Sequence, residues 1–211
     1  MEKKVYHQIK QKILDGEYAP SQRLIETSLA QELGVGRHKI RAALDHLQAD
    51  GLVQIEPNRG ATVKSLELAE VLDILVAREA LEGGVAYLAA ERVEANQIQQ
   101  LAECLEIMRK ALDEGAYDLY SATNKSFHQI IYDASGNQTM PQLIDSLRQR
   151  LARLQLRSIL IPGRAKQSLA EHNAILQAMQ TQDAPAAERA ARAHLSGLRK
   201  AIEKAWQLVR H

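Results

Sequence analysis

The sequence lacks the features that stabilise secreted proteins and anchor membrane proteins. Its 211 residues contain one cysteine, Cys104, so an intramolecular disulfide is excluded and a buried structural thiol is expected. No apolar run approaches the roughly 18 residues of a membrane-spanning helix. The opening stretch MEKKVYHQIK also lacks the apolar segment of a signal peptide. We therefore expect a cytoplasmic protein with no membrane partner.

Aromatic residues and an excess of one charge are also scarce. Aromatic residues make up 4% of the chain and the formal net charge is +1, so the overall charge balance gives no sign of nucleic-acid binding. Apolar residues make up 45%, which is enough for a packed core and argues against disorder. The abundance of Ala, Leu, Gln, Glu and Arg favours helices.

The N-terminal part of the chain has the pattern of three helices followed by a hairpin. A first helix is marked by apolar residues at every fourth position: Val5, Ile9 and Ile13. A second, short helix ends at Gly34, and a third is predicted over residues 37–49. Two short strands around Val53 and Val63 are joined by a turn that contains Gly60. This order is typical of a winged helix-turn-helix domain.

The remainder of the chain has a helical pattern throughout. Helices are predicted near residues 66–91, 94–113, 117–134, 139–161, 164–181 and 184–209. Glycine and proline mark the breaks, as at Gly115 and Pro162. The sequence therefore predicts a mostly α protein. It has a winged helix-turn-helix domain over residues 1–64 and an all-α bundle of about six helices over residues 65–211.

A cluster of basic side chains lies at the start of the third helix, in the stretch GVGRHKIRAALDHL: Arg37, His38, Lys39 and Arg41. A helix in the major groove reads bases with its first turns, and the arginine fork matches the O6 and N7 atoms of guanine. Arg59 and Gly60, at the tip of the predicted hairpin, are placed to follow the adjacent minor groove. Taken alone, the cluster also fits a solvated charged surface. Its place in the order of elements favours contact with DNA.

Three histidines of the helical part lie on apolar stripes of different predicted helices: His128, His172 and His194. Asn124 precedes His128 by one helical turn. A buried polar group without a partner costs roughly 1–3 kcal/mol. A divalent metal would satisfy all three imidazoles and leave positions open for water or a ligand. The alternative is three separate core histidines, each with its own local hydrogen bond.

The N-terminal residues resemble the GntR family of bacterial transcription regulators. The family pattern is matched by Tyr6, Ile9, Ile13, Gly16, Pro20, Leu29, Ala30, Leu33, Gly34, Val35, Arg37, Arg41, Ala43, Leu44, Leu47, Gly51, Leu52 and Gly60. The resemblance implies double-stranded DNA as the partner. Gly36 replaces the usual serine, and Ser21 and Ala42 replace the usual glycine and glutamate. His38 and Lys39 replace the usual Thr-Pro pair where bases are read, so we expect an operator that departs from the usual family consensus.

Residues 66–209 resemble the FCD effector domain of the FadR branch of that family. Arg78 and Glu82 match an Arg-x-x-Leu-Glu signature, and the three histidines match the positions of the family's metal ligands. The resemblance implies a divalent ion, zinc, nickel or similar, held by Asn124, His128, His172 and His194. Asn124 stands where many family members have aspartate.

The resemblance also implies a small carboxylate effector whose oxygens bind the metal. We assign Arg78 as a second contact for the anion, with a structural salt bridge inside the bundle as the alternative. The function predicted is that of a homodimeric, ligand-responsive repressor that binds a near-palindromic operator and has no enzymatic activity. One alternative is a DNA-binding regulator whose histidine cluster is purely structural. A further alternative is a metal-dependent enzyme built on the bundle.

Overall fold

The computed structural model describes residues 2–56, 60–64 and 67–209, with the side chains at 2, 3, 152–158, 208 and 209 left out of the description. The chain divides into two compact units. The first comprises residues up to Glu67 together with Gln149–Arg153, and the second comprises Leu68–Arg148 and the chain from Leu154 onward. The predicted boundary, between residues 64 and 65, lies close to this division. Within the described ranges, no helix is long and apolar enough to cross a membrane.

Among the described residues, the first unit contains three complete helices, a small antiparallel sheet and the segment Gln149–Arg153 of a later helix. Its elements are α1 (Glu2–Leu14), β1 (Arg23–Leu24), α2 (Glu26–Leu33), α3 (Arg37–Ala49), β2 (Val53–Glu56) and β3 (Gly60–Val63). The strand order is β1-β3-β2. The predicted helix α3 is found with the bounds that the sequence indicated, because an apolar stripe of period 3.6 and glycines on both sides define it.

Strand β1 was not predicted from the sequence. It pairs with β3 through Arg23 opposite Thr62 and Leu24 opposite Ala61, while β2 pairs with the other edge of β3 from Val53 opposite Val63 onward. Two residues are too few to show the alternation of polar and apolar side chains that reveals a strand. The central position of β3 therefore depends on a contact between segments almost 40 residues apart in the chain.

The core of the first unit is formed where α1, α3 and the sheet meet. The side chains of Ile9, Ile40 and Leu47 are completely buried there. Helix α2 ends at Gly34, whose φ of 62° is the left-handed conformation that glycine adopts without strain. The chain then turns sharply into α3. This tight turn joins the C-terminal end of α2 to the start of α3.

The second unit is helical throughout its described residues. Its helices are α4 (Leu68–Ala90), α5 (Ala95–Asp113), α6 (Tyr117–Ala134), α7 (Thr139–Ile159), α8 (Arg164–Gln180) and α9 (Ala184–Val209). The segment Gln149–Arg153 of α7 belongs to the first unit. The predicted fold class, a winged helix-turn-helix with an all-α bundle of about six helices, is confirmed. Phe127 of α6, the one phenylalanine in the sequence, is fully buried in the bundle core.

Small residues allow α4 and α9 to approach each other closely. Ala86, Ala89 and Ala90 are buried on α4, and Ala187 and Ala191 are buried on α9. Close packing of these two helices brings the histidine of α9 near the polar residues of α4. Cys104 of α5 is a free, buried thiol, as expected.

Candidate DNA interface and candidate metal centre

The predicted DNA-contacting side chains lie on the solvent-facing side of α3. The side chains of Arg37 and Arg41 are 61% and 63% exposed, and His38 is also exposed. Lys39 is partly buried beside the fully buried Ile40. The helix therefore presents one apolar face to the core and an arginine pair, one turn apart, to its surroundings.

The two residues predicted at the tip of the hairpin are described unequally. Gly60 is exposed at the start of β3 and has a φ of 83°, a conformation that favours glycine. Arg59 lies outside the described residues. The prediction that both follow the minor groove stays a prediction.

Glu26, which the sequence did not single out, contacts both arginines of α3. Arg41 donates from Nε to Glu26 Oε1 at 3.0 Å and from Nη2 to Oε2 at 2.8 Å. Arg37 Nη2 lies 3.4 Å from the same Oε2. The hydrogen bond from Arg41 is the main reason that the pKa of Glu26 is lowered, so the carboxylate is charged at neutral pH. Glu26 precedes the two arginines by 11 and 15 residues, so no local sequence pattern predicts this contact.

Gly36 and His38, which both depart from the family pattern, lie against each other. A Cβ atom built on Gly36 would lie 2.9 Å from the ring of His38. Gly36 is the N-terminal cap of α3 in an extended conformation, with no side-chain cap. The imidazole thus occupies the space that a side chain at position 36 would need.

The structure brings the three predicted histidines together. His128 on α6, His172 on α8 and His194 on α9 are buried, and their candidate ligand atoms lie within 4.8 Å of one another. The Nε2 atoms of His128 and His172 are 3.2 Å apart. Three helices distant in sequence therefore converge on one small polar centre inside an apolar bundle.

Each imidazole has a polar neighbour at its Nδ1 atom. Nδ1 of His194 lies 2.8 Å from Glu171 Oε2, and Nδ1 of His172 lies 3.4 Å from the Ser168 hydroxyl. Nδ1 of His128 is 3.7 Å from Glu82 Oε2. Such outer contacts fix the ring orientation and leave Nε2 for a metal. The sequence motif includes Glu82, but the sequence pattern assigned this role to neither glutamate.

Burial keeps the three imidazoles neutral. Desolvation lowers the pKa of His128 and His172 well below 6.5, and the pKa of His194 to about 3. Nearby arginines lower the pKa of all three further, and neighbouring imidazoles also lower the pKa of His128 and His172. A neutral imidazole is the form that binds a metal ion, so no proton must be removed at neutral pH.

Asn124 supplies an unsatisfied oxygen one turn before His128. Among the described residues, its Oδ1 atom is buried and has no hydrogen-bond partner. A buried oxygen without a partner is costly unless something else binds it. Three neutral imidazoles and one amide oxygen suit a borderline divalent ion such as zinc or nickel, so the residues present fit such an ion.

Arg78, the predicted effector contact, forms a buried ion pair on α4. Its Nε and Nη2 atoms donate to Glu82 Oε1 at 2.9 and 2.7 Å. Its Nη1 atom is buried and has no partner within the described part of the chain. The salt bridge uses one edge of the guanidinium and leaves the Nη1 atom without a partner in the described chain, so Arg78 can keep the salt bridge and also donate to an anion.

A cavity adjoins the histidine cluster. Its volume is about 10 Å³, which is room for about one water molecule. Glu82, Tyr132, His128 and His194 are the polar residues of its lining. The apolar residues of the lining are Ala86, Ile131, Ile175, Ala191 and Leu195. A molecule larger than water can enter this space only if the lining residues move apart.

A second layer of residues supports His194, and the sequence did not indicate it. Arg164 is buried and donates from Nη1 to Glu171 Oε2 at 2.8 Å. A Cβ atom on Gly197 would lie only 2.2 Å from Glu171 Oε1. The glutamate carboxylate is therefore held between an arginine and the bare backbone of α9.

A winged helix-turn-helix with exposed arginines on its third helix, joined to a helical domain, defines the class of DNA-binding transcription regulators. The model of the family described as "Bacterial regulatory proteins, gntR family" matches residues 1–63, and the "FCD domain" model matches residues 73–197. The chain belongs to the GntR family and carries an FCD domain. This confirms the resemblance inferred from the sequence motifs. The protein is a DNA-binding transcription regulator, and its family and relatives are regulators rather than enzymes.

Relatives match over nearly the whole chain. The "HTH-type transcriptional repressor RspR" of Escherichia coli is 28% identical over 200 residues, which cover 95% of this chain and 88% of that protein. The regulator YdhC of Bacillus subtilis is 28% identical over 192 residues, 90% of this chain and 86% of that protein. The solved structure of E. coli McbR/YncC has a TM-score of 0.75 at 22% identity and covers 99% of this chain and 98% of that one. This last likeness concerns the fold alone. FCD domains bind a metal ion in some regulators.

Proposed function

We propose that the protein is a cytoplasmic, homodimeric repressor that binds a near-palindromic operator and responds to a small carboxylate bound at a metal ion. The observation that carries the DNA-binding part is the exposed pair Arg37 and Arg41 at the start of α3. In this proposal α3 enters the major groove, and these arginines reach bases or phosphates together with His38 and Lys39. Arg59 and Gly60 follow the minor groove.

A dimer with two-fold symmetry would place two α3 helices on one face of the duplex. Their half-sites would then be separated by about one helical turn of DNA. The repressor role is proposed by analogy with the relative named as a repressor.

Asn124, His128, His172 and His194 are the proposed ligands of the metal. Support comes from the convergence of three neutral imidazoles and from the orphaned oxygen of Asn124. When bound, the ion would supply a positive charge that attracts carboxylate oxygens. The small cavity beside the histidines is the proposed site of the effector, and its lining must move apart to admit a carboxylate. Arg78 Nη1, buried without a partner in the described chain, is the proposed second contact for the anion.

The first experiment is a selection of duplexes from random DNA by the full-length protein, run beside Arg37→Ala and Arg41→Ala. Arg109→Ala is the matched control, because Arg109 is an exposed arginine of α5, 53% exposed, in the helical unit. We expect the wild type and the control to enrich a near-palindromic site, and both α3 variants to lose that enrichment. Weak binding without an enriched site, unchanged in the variants, would contradict the proposed interface.

A second candidate is a regulator whose histidine cluster is structural. The direct approach of the His128 and His172 Nε2 atoms, 3.2 Å apart, favours it, because the two rings can share a hydrogen bond without a metal. Metal analysis before and after chelation, followed by thermal melting, separates the two. A chelator that leaves the fold intact but abolishes the response to carboxylates supports sensing. A protein that holds no metal as purified, and binds none on titration, supports the structural alternative.

A further inference from the structure

The arginine pair of α3 is held by a carboxylate that belongs to a different helix. Glu26 is the first residue of α2, and its two oxygens accept hydrogen bonds from Nε and Nη2 of Arg41. Only 23% of the Glu26 side chain is exposed, against more than 60% for each arginine. The carboxylate is therefore less exposed than the two guanidinium groups that it contacts.

The bonds to Glu26 use one edge of the Arg41 guanidinium. A guanidinium has five N–H donors in a planar fork. The Nε–H and one Nη2–H point to Glu26, which leaves the second Nη2–H and the two donors of Nη1. The second Nη2–H and one Nη1–H form the end-on edge, which matches two acceptors side by side, such as O6 and N7 of guanine. Arg41 can therefore contact Glu26 and a base at the same time.

We propose that Glu26 is a specificity-determining residue that positions Arg41, and through it the neighbouring Arg37, for bidentate reading of the operator. This inference rests on the proposed DNA interface. An exposed arginine samples many rotamers, and binding must order it. The Glu26 carboxylate orders the Arg41 side chain before DNA binds. It thereby restricts the directions in which the remaining N–H donors of Arg41 point.

A carboxylate near DNA also has an opposite effect. Its negative charge is repelled by the phosphates, which dominate binding to any sequence. Removal of the charge should therefore strengthen non-specific binding and at the same time weaken the discrimination between operator and other DNA. A residue that contributes only overall charge, or only stabilises α2 at its N-terminus, does not have these two opposite effects.

The test compares Glu26→Gln, Glu26→Asp and Glu32→Gln with the wild type in the full-length protein. Glu32 is the matched control, because it lies on α2 but bonds to Tyr18 and Lys12 rather than to α3. Glu26→Asp keeps the charge in the first turn of α2, but its side chain is too short to hold Arg41 with both oxygens. The affinity of each protein is measured for the selected operator and for a scrambled duplex of equal length. Melting curves verify that each variant is folded.

We expect the ratio of operator to scrambled affinity to fall on the order of tenfold in both Glu26 variants, the range of one bidentate arginine–base contact. Glu32→Gln should keep the ratio. Glu26→Gln and Glu32→Gln should both strengthen binding to scrambled DNA, and Glu26→Asp should not.

Two results would overturn the inference. If the ratio is unchanged in the Glu26 variants, Glu26 acts only through its charge. If the Glu26 variants gain more affinity for the operator than for scrambled DNA, Glu26 holds the arginines in a position that they must leave before they bind the operator. Failure of the proposed interface itself gives a different result, because the wild type would then enrich no operator at all.

Discussion

The absence of a side chain at Gly197 leaves the space that the Glu171 carboxylate occupies beside the histidine cluster. A Cβ atom on Gly197 would meet Glu171 Oε1 at 2.2 Å, and Glu171 holds Nδ1 of His194. Any side chain at position 197 must therefore displace the carboxylate that orients a proposed metal ligand. Contacts of this outer kind change metal affinity by roughly 10–100-fold when they are lost.

We predict that Gly197→Ala lowers zinc affinity about tenfold or more, measured by competition with a chromophoric chelator. Gly84→Ala is the matched control, since Gly84 is also inside a helix and its Cβ would meet Met140 only at an ordinary distance of 3.7 Å. Both changes should favour the helix by up to about 1 kcal/mol. Equal zinc affinity in the two variants would show that Glu171 does not depend on the space at position 197.

The proposed role of Asn124 as a metal ligand can be tested by one substitution. Asn124→Asp replaces a neutral amide oxygen by a carboxylate, a stronger ligand for a divalent ion. The variant should bind zinc more tightly than the wild type. Without metal it should melt at a lower temperature, because a buried charge then has no counterion. Opposite shifts of the melting temperature with and without metal would support ligation by position 124, and equal shifts would contradict it.

At the scale of elements, the helices were predictable and the smallest strand was not. The bounds of α3 and α6 follow from apolar stripes that glycine or polar turns interrupt, and these are local signals. Strand β1 and the contact of Glu26 with α3 depend on segments that meet only in the folded chain. The histidines were found because their motifs recur in the family. Arg164 and Gly197 were missed, because their role lies in contacts made with Glu171.

The contribution of strand β1 to the core of the first unit can be tested through Leu24. Leu24 is 2% exposed against the core of the first unit, whereas its neighbour Ile25 is 52% exposed. Leu24→Ala should lower the free energy of unfolding of the protein by about 2–4 kcal/mol, and Ile25→Ala by less than about 0.5 kcal/mol. Urea denaturation followed by circular dichroism measures both. Similar losses in the two variants would mean that β1 does not contribute to the core as its burial indicates.

At the scale of the whole molecule, a regulator needs a coupling free energy between its two proposed sites. If an effector changes the affinity for DNA by some factor, DNA must change the affinity for the effector by the same factor. This reciprocity holds whatever the route between the sites. It also distinguishes a sensor from a DNA-binding protein that happens to contain a metal.

The last prediction uses this reciprocity. A panel of small carboxylates is tested by thermal melting on zinc-loaded and on chelated full-length protein, and we expect the effector to stabilise only the loaded form. That compound should change operator affinity about 5–150-fold, the usual range for coupled sites. His194→Ala should retain operator binding but lose the response, because His194 is a proposed metal ligand on α9. Titration of the compound with and without operator must return the same factor. A compound that alters DNA binding equally in His194→Ala would act elsewhere, and the histidine cluster would then be structural.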